Sequence, residues 1–359
     1  MKRIAVLIIL VALLLSAPGY GSQWKFFEHR YKYKLGDVLE ADKFVKKDGY
    51  WEGYRGNKLV GYVFLSKDWT KKLVGYSGKH METLIGLDPN GVITGVKLIF
   101  HSEPIVLIGL KDENYLEFLK QYRGKNIKED LAVGKGISMD AITGATVTAV
   151  VQNAIILGSA RKVATAAGIA RFARAKMEKK KISRKYTPLS WRELVDLKAI
   201  RNIVVRSEQL GIKDKGVYLD LYFGVLTPPS IGRNVLGDKL YNDTMKALKK
   251  GESAIFVFAR GKGSFIGSGF ARGGIFDRFH ISQNDKTFVF RDIDYRKITR
   301  IRAKGAPEIK EGGIFIVRSE DFEQTLPFEF NLILTYRVGS KKEFKSFSSR
   351  YKIPERFLE

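Results

Sequence analysis

The nonapeptide Asp140-Ala-Ile-Thr143-Gly144-Ala145-Thr146-Val-Thr148 constrains this chain more than any other stretch of it. Asp140, Thr143, Thr146 and Thr148 bring a carboxylate and three hydroxyls around a Gly-Ala pair, directly ahead of a helix-forming run that begins near Val147. Small residues let another molecule approach the backbone closely. A helix start offers N–H groups with no intrahelical acceptor, which suits a phosphate. From the residues alone two readings stand: a capped helix start, since Ser and Thr are common caps, or a loop-to-helix site that holds an anionic group. The full spacing, with Asp140 at its head, favours the second.

Composition narrows the chemistry. The 359 residues contain no cysteine, which excludes disulfides, cysteine-ligated iron–sulfur clusters, thioether-attached haem and a lipoprotein anchor. The four histidines, His29, His80, His101 and His280, show no metal-ligand spacing, so no metal site is expected. Any redox chemistry must then come from a bound organic cofactor. Lys and Arg number 63 against 38 Asp and Glu, a net charge of +25 that favours acidic proteins or an anionic membrane surface. Nucleic acid is not expected, because no zinc spacing, RNA-binding aromatic motif or compact recognition helix accompanies the charge.

Met1-Lys2-Arg3, the apolar run Ile4–Leu15 and Ser-Ala-Pro-Gly-Tyr-Gly21 read as a secretory signal over residues 1–21. A run of about 12 apolar residues suits a signal core and is short for a bilayer span of ~20. The signal is either cleaved, after Gly21, or kept as an anchor. Both place the folded part outside the cytoplasmic membrane.

The chain is long enough for two cores, and the periodicity predicts an α+β organisation. Residues 22–69 form an aromatic, basic N-terminal extension. Within 70–185, Met81–Leu87 and Val92–Phe100 flank Asp88-Pro-Asn-Gly91 and predict a β-hairpin. His101-Ser-Glu-Pro104 ends the second strand, Asn114–Tyr122 reads as a helix, and a long helix starts at the motif, with Ala167-Gly168 a break point. Arg171–Lys185 is a dense cationic stretch, either a solvated face or a docking surface for an acidic partner or anionic lipid. Residues 186–359 are β-rich, with strands expected at Val217–Val225, Ala254–Ala259, Gly313–Val317 and Phe328–Tyr336. Gly261–Gly269 lacks both nucleotide-loop spacings and is read as a glycine-rich hairpin.

The pattern D-x-x-[ST]-G-A-[ST]-x-T resembles the flavin attachment site of extracytoplasmic FMN-binding domains, the family of the NqrC and RnfG subunits and of NosR/NirI proteins. The "GLDPNGVITGVK" hairpin at 86–97 and the "HSEP" corner at 101–104 stand in the family's order. "TPPSIGRNVLG" at 227–237, "RGKGSFIGSGFARGGIFDRF" at 260–279 and "RYKIPERFL" at 350–358 resemble the second part of the NosR/NirI extracytoplasmic region. The resemblance implies an FMN-binding domain, with an antiparallel sheet and a motif-bearing helix, followed by a β-rich domain. It implies FMN joined covalently through its phosphate to Thr148 by a flavin transferase, with Asp140, Thr143, Gly144, Ala145 and Thr146 shaping the acceptor loop. Tyr76, Ser102 and Glu103 are candidates for contacts to the ring or ribityl chain. The implied role is electron transfer to a respiratory reductase of the nitrous oxide reductase kind, or support of its activation. The alternative is a non-redox accessory or assembly protein of a respiratory complex; no catalytic residue is expected. NosR-like proteins usually continue into transmembrane helices and cysteine-rich modules that these residues do not contain. The expectation is therefore a separate membrane electron-donor subunit, or an independent shuttle.

Overall fold

The computed structural model describes residues 28–71, 73–75, 79–103, 112–129, 131–133, 136–137, 146–171, 179–267, 270, 274–284, 286–339 and 341–359. They fall into two compact units, the first formed by residues up to 129 and by 155–170, the second by 131–154 and by the chain from 171 onward. Both helices and antiparallel sheets are present, so the α+β expectation holds.

In the first unit six strands form one antiparallel sheet: β1 (His29–Arg30), β2 (Lys43–Lys46), β3 (Trp51–Arg55), β4 (Lys58–Leu65), β5 (Glu82–Leu87) and β6 (Ile93–His101). Their spatial order is β1-β6-β5-β4-β3-β2, so segments on either side of residue 70 share the sheet. The hairpin read from Asp88-Pro-Asn-Gly91 is β5–β6. Asp88 Oδ1 accepts from the N–H groups of Asn90 at 2.9 Å and Val92 at 2.7 Å, while Gly91 takes φ +88°, open to glycine at little cost. One face of the sheet buries Val38, Leu39, Val63, Leu65, Leu84 and Ile99.

Between β4 and β5 lies the short helix α1 (Ser66–Thr70), and α2 (Asp112–Lys120) follows β6. The two-residue strands β7 (Ala132–Val133) and β8 (Gly136–Ile137) pair in parallel ahead of the long helix α3 (Thr146–Ala166). From Thr148 to Ala160 every residue of α3 but Asn153 is buried. An apolar face was expected from sequence; the burial over 148–160 extends round the helix and takes in polar Gln152 and Ser159. The C-terminal half of α3 is tied to the first unit by polar bonds: Ser159 Oγ lies 3.0 Å from Thr70 Oγ1, and Lys162 Nζ donates to Trp69 O at 2.7 Å. Arg161 donates to the carbonyls of Ile127 and Glu129, each at 3.0 Å. The helix stops at Ala166, and Gly168 in the left-handed region (φ +73°) fits the expected break.

The second unit carries α4 (Trp191–Asp196), β9 (Arg201–Arg206), β10 (Val217–Val225), α5 (Pro229–Leu236), α6 (Asp238–Ala247), β11 (Ser253–Gly261), β12 (Phe279–Gln283), β13 (Lys286–Phe288), β14 (Tyr295–Lys297), β15 (Glu311–Val317), β16 (Phe328–Val338) and β17 (Lys341–Tyr351). Two antiparallel sheets result, β14-β15-β11-β10-β9 and β13-β12-β16-β17. An aromatic core joins them: Phe279 stacks on Phe330 at 5.2 Å and meets Phe315 edge-on at 4.9 Å, and Phe223 stacks on Phe330 at 4.4 Å. All four strands expected in this region are present. Of the glycine-rich hairpin expected at Gly261–Gly269, residues 268–269 lie outside the described residues, and residues 262–267 form no strand. β11 ends at Gly261 and pairs with β10 and β15, whereas β12 belongs to the other sheet. A run of glycines marks backbone freedom without saying which strand comes next to which.

Candidate functional site

Thr148 is the third residue of α3 and is 3% exposed, followed by fully buried Ala149. In the first turn of a helix the backbone N–H groups lack intrahelical acceptors and carry the positive end of the dipole. An anionic group esterified there meets favourable charge, and Ala149 adds no bulk beside it. Thr146 opens the helix. Asp140, Thr143, Gly144, Ala145 and Tyr76 lie outside the described residues.

Ser102 and Glu103 are described, each 1% exposed, just past the end of β6. The Glu103 carboxylate packs against the backbone of Gly75, where an added Cβ would lie 2.9 Å from Oε2 and closer still to Oε1. Gly75 is thus a close-approach glycine, with its N–H held by Lys79 O at 2.9 Å. The backbone N–H of Glu103 donates to His101 Nδ1 at 3.3 Å.

His101 was not singled out by sequence, yet it lies at the centre of this corner. It is fully buried, stacked on His29 at 4.8 Å across the β1–β6 pair and near-parallel to Tyr31 at 6.4 Å. Tyr115 of α2 meets its ring edge-on at 5.3 Å, and the Tyr115 hydroxyl donates to Met81 Sδ at 3.1 Å. Burial, and then the Glu103 carboxylate, push that phenol well above its ordinary value. A ring-lined, acid-bearing corner therefore stands where the sequence offered only Ser102-Glu103. The "HSEP" corner hinted at it, but the cross-strand pairing of His29 with His101 is a long-range register that no local pattern encodes.

His80 closes the edge nearest α1. Its Nδ1–H donates to Leu73 O at 2.8 Å, which leaves Nε2 to accept from Ser66 Oγ at 3.2 Å. Burial lowers its pKa, keeping the neutral tautomer. Among the described residues no group of three or more His, Asp or Glu could hold a metal, and no helix is long and apolar enough to cross a membrane.

Residues 75–156 match the FMN-binding domain family, a span that contains Gly75, the β5–β6 hairpin, the Ser102-Glu103 corner and Thr148. The chain therefore carries an FMN-binding domain over residues 75–156. The chain is 37% identical to Regulatory protein NosR of Stutzerimonas stutzeri over 330 residues, 85% of this chain and 45% of that protein. It is 34% identical to Regulatory protein NosR of Pseudomonas aeruginosa over 331 residues, 85% of this chain and 46% of that one. With Protein NirI of Paracoccus denitrificans it shares 27% identity over 276 residues, 74% of this chain and 39% of the relative. The chain is accordingly an FMN-binding protein of NosR/NirI type, and it spans less than half the length of these relatives.

Proposed function

We propose that Thr148 carries FMN through a phosphoester and that the chain works outside the cytoplasmic membrane as an electron-transfer flavoprotein of a denitrification system, feeding a reductase of the nitrous oxide reductase kind or supporting its activation. One observation carries this reading. The FMN-binding match reaches residue 156 and so encloses the D-x-x-[ST]-G-A-[ST]-x-T spacing, whose last threonine sits in the first turn of α3. When bound, the isoalloxazine supplies a centre that takes two electrons and releases them singly. The protein's part is to anchor and orient. Thr148 Oγ1 supplies the ester oxygen, and the first-turn N–H groups of α3 face the phosphate charge. In the same proposal Asp140, Thr143, Gly144, Ala145 and Thr146 shape the acceptor loop, and Tyr76, Ser102 and Glu103 contact the ring or ribityl chain. The buried Glu103 beside Gly75 supports a tight polar cradle there. A residue only 3% exposed must be reached on a locally opened state or before α3 packs, so the flavin transferase acts early or on an open form.

A membrane electron-donor subunit and the reductase are the proposed partners. The name of the NosR relatives, Regulatory protein, supports a second reading: an accessory or assembly role in which the flavin motif is unused. Co-expression with a flavin transferase, followed by intact mass and in-gel flavin fluorescence, separates the two. The parent chain should gain the mass of FMN less water and Thr148→Ala should gain none. A parent without flavin sinks the carrier reading; flavin kept by Thr148→Ala refutes the site and leaves the carrier standing.

A further inference from the structure

The motif "TPPSIGRNVLG" lies outside the FMN-binding match and forms one wall of a cavity of about 730 Å³ in the second unit. The opposite walls are the stretch around Tyr186–Glu193 and the segment Arg302–Gly305 between β14 and β15. The cleft is open to solvent, and its volume falls in the range of sites that take a small organic ligand. Four cationic side chains line it, Arg192, Arg233, Arg302 and Lys304, against the carboxylates of Glu193 and Asp238.

The carboxylates are already committed. Glu193 accepts from the Ser190 N–H at 2.7 Å and the Ser190 hydroxyl at 2.6 Å in a capping box, and that hydroxyl bond holds its pKa down. Asp238 takes Arg233 Nε at 2.6 Å. The Arg233 guanidinium carbon lies 3.8 Å from the centroid of the Tyr186 ring, and Nε is the atom that meets Asp238. Tyr186 is in turn pinned: its hydroxyl donates to Asn234 Oδ1 at 3.2 Å, and Asn234 Nδ2 donates to Thr187 O at 2.9 Å and Ser230 O at 2.8 Å. Arg302 and Lys304 make no ion pair among the described residues. The backbones that carry them are held, Arg302 N–H by Val235 O at 2.9 Å and Lys304 O by the Trp191 N–H at 2.9 Å. Arg302 and Lys304 therefore line the cavity without an ion pair among the described residues, beside Arg233, whose charge is met by Asp238.

We infer that this cavity binds a small organic phosphate of mononucleotide size, a site separate from the flavin attachment proposed above. A phosphate presents three acceptor oxygens and two negative charges, and so can take donors from Arg233, Arg302 and Lys304 together; a planar carboxylate occupies one fork. Pro188, Leu189 and Ala303 supply apolar surface for the remainder of the ligand.

Titration calorimetry at low salt on the whole chain, with ADP, adenosine, inorganic phosphate and citrate as probes, tests this. ADP should bind, and bind more tightly than the other three. Replacing Arg302→Ser and Lys304→Ser together should weaken ADP by about tenfold or more. Removing the same charge from β2, with Lys43→Ser and Lys46→Ser, should leave ADP binding unchanged. The inference is overturned if ADP gives no heat, if adenosine or inorganic phosphate matches it, if citrate binds more tightly, or if the two double variants lose affinity equally. Both pairs are exposed, and circular dichroism of each variant checks that the fold is kept.

Discussion

His280 on β12 shows how burial turns one side chain into a pH dependence. Its ring is half-buried opposite Asn331 of β16, and burial pushes its pKa down to about 4. The unfolded chain would titrate near 6.5. Above that pH both states are neutral and the group has no effect on stability. Between about 6.5 and 4 the unfolded chain binds a proton the folded one refuses, so stability falls as pH falls, by at most ~1.4 kcal/mol per unit. Urea midpoints over that window should be flatter for His280→Gln than for the parent; equal slopes would remove His280 as the cause. Thr148 stands at the other extreme of legibility. Its place at a helix start was readable from spacing, because a helix start and its small neighbours are local properties. His101 was not: its setting depends on His29 and Tyr115, distant in sequence and brought close by strand pairing and the docking of α2.

Between α5 and α6 the packing leaves no room for a methyl group. A Cβ on Gly232 would lie 2.5 Å from two carbons of the Tyr241 ring and against the carbonyl oxygen of Leu226. The ring cannot swing away freely, because the Tyr241 hydroxyl donates to Thr227 O at 2.8 Å. Alanine would contribute up to about 1 kcal/mol of helix propensity, whereas forcing atoms into a filled site costs about 1–3 kcal/mol. The clash involves backbone, so it wins: Gly232→Ala should destabilise the protein by about 1–2 kcal/mol. A urea midpoint unchanged or raised would mean that α5 and α6 pack otherwise. Most elements were legible at this scale, the β5–β6 hairpin from its turn and β10, β11, β15 and β16 from their apolar runs. The glycine-rich stretch after β11 was the least legible, because the partner of a strand is settled by the sheet it joins rather than by its own composition.

At the scale of the whole molecule the charge of +25 is spread over both units and over many exposed lysines. Self-repulsion of that size opposes the compact state and is screened by salt, with a Debye length of ~30 Å at 0.01 M and ~10 Å at 0.1 M. The thermal midpoint should therefore rise as sodium chloride goes from about 10 to about 150 mM; a fall would mean that attractive pairs such as Arg318 with Asp294 and Glu252 outweigh the repulsion. By itself the sequence determined the α+β class, the flavin-type motif, the exclusion of cysteine chemistry and most strands and helices, since each rests on local spacing or composition. Only the tertiary structure decided that segments on both sides of residue 70 share one sheet, that His29 and His101 stack, and that "TPPSIGRNVLG" walls a cationic cavity. Those depend on which strands pair and which helices dock, long-range choices made by burial across the whole core. Spacing marked Thr148 as a candidate; only the fold shows that it lies in the first turn of α3 and is 3% exposed.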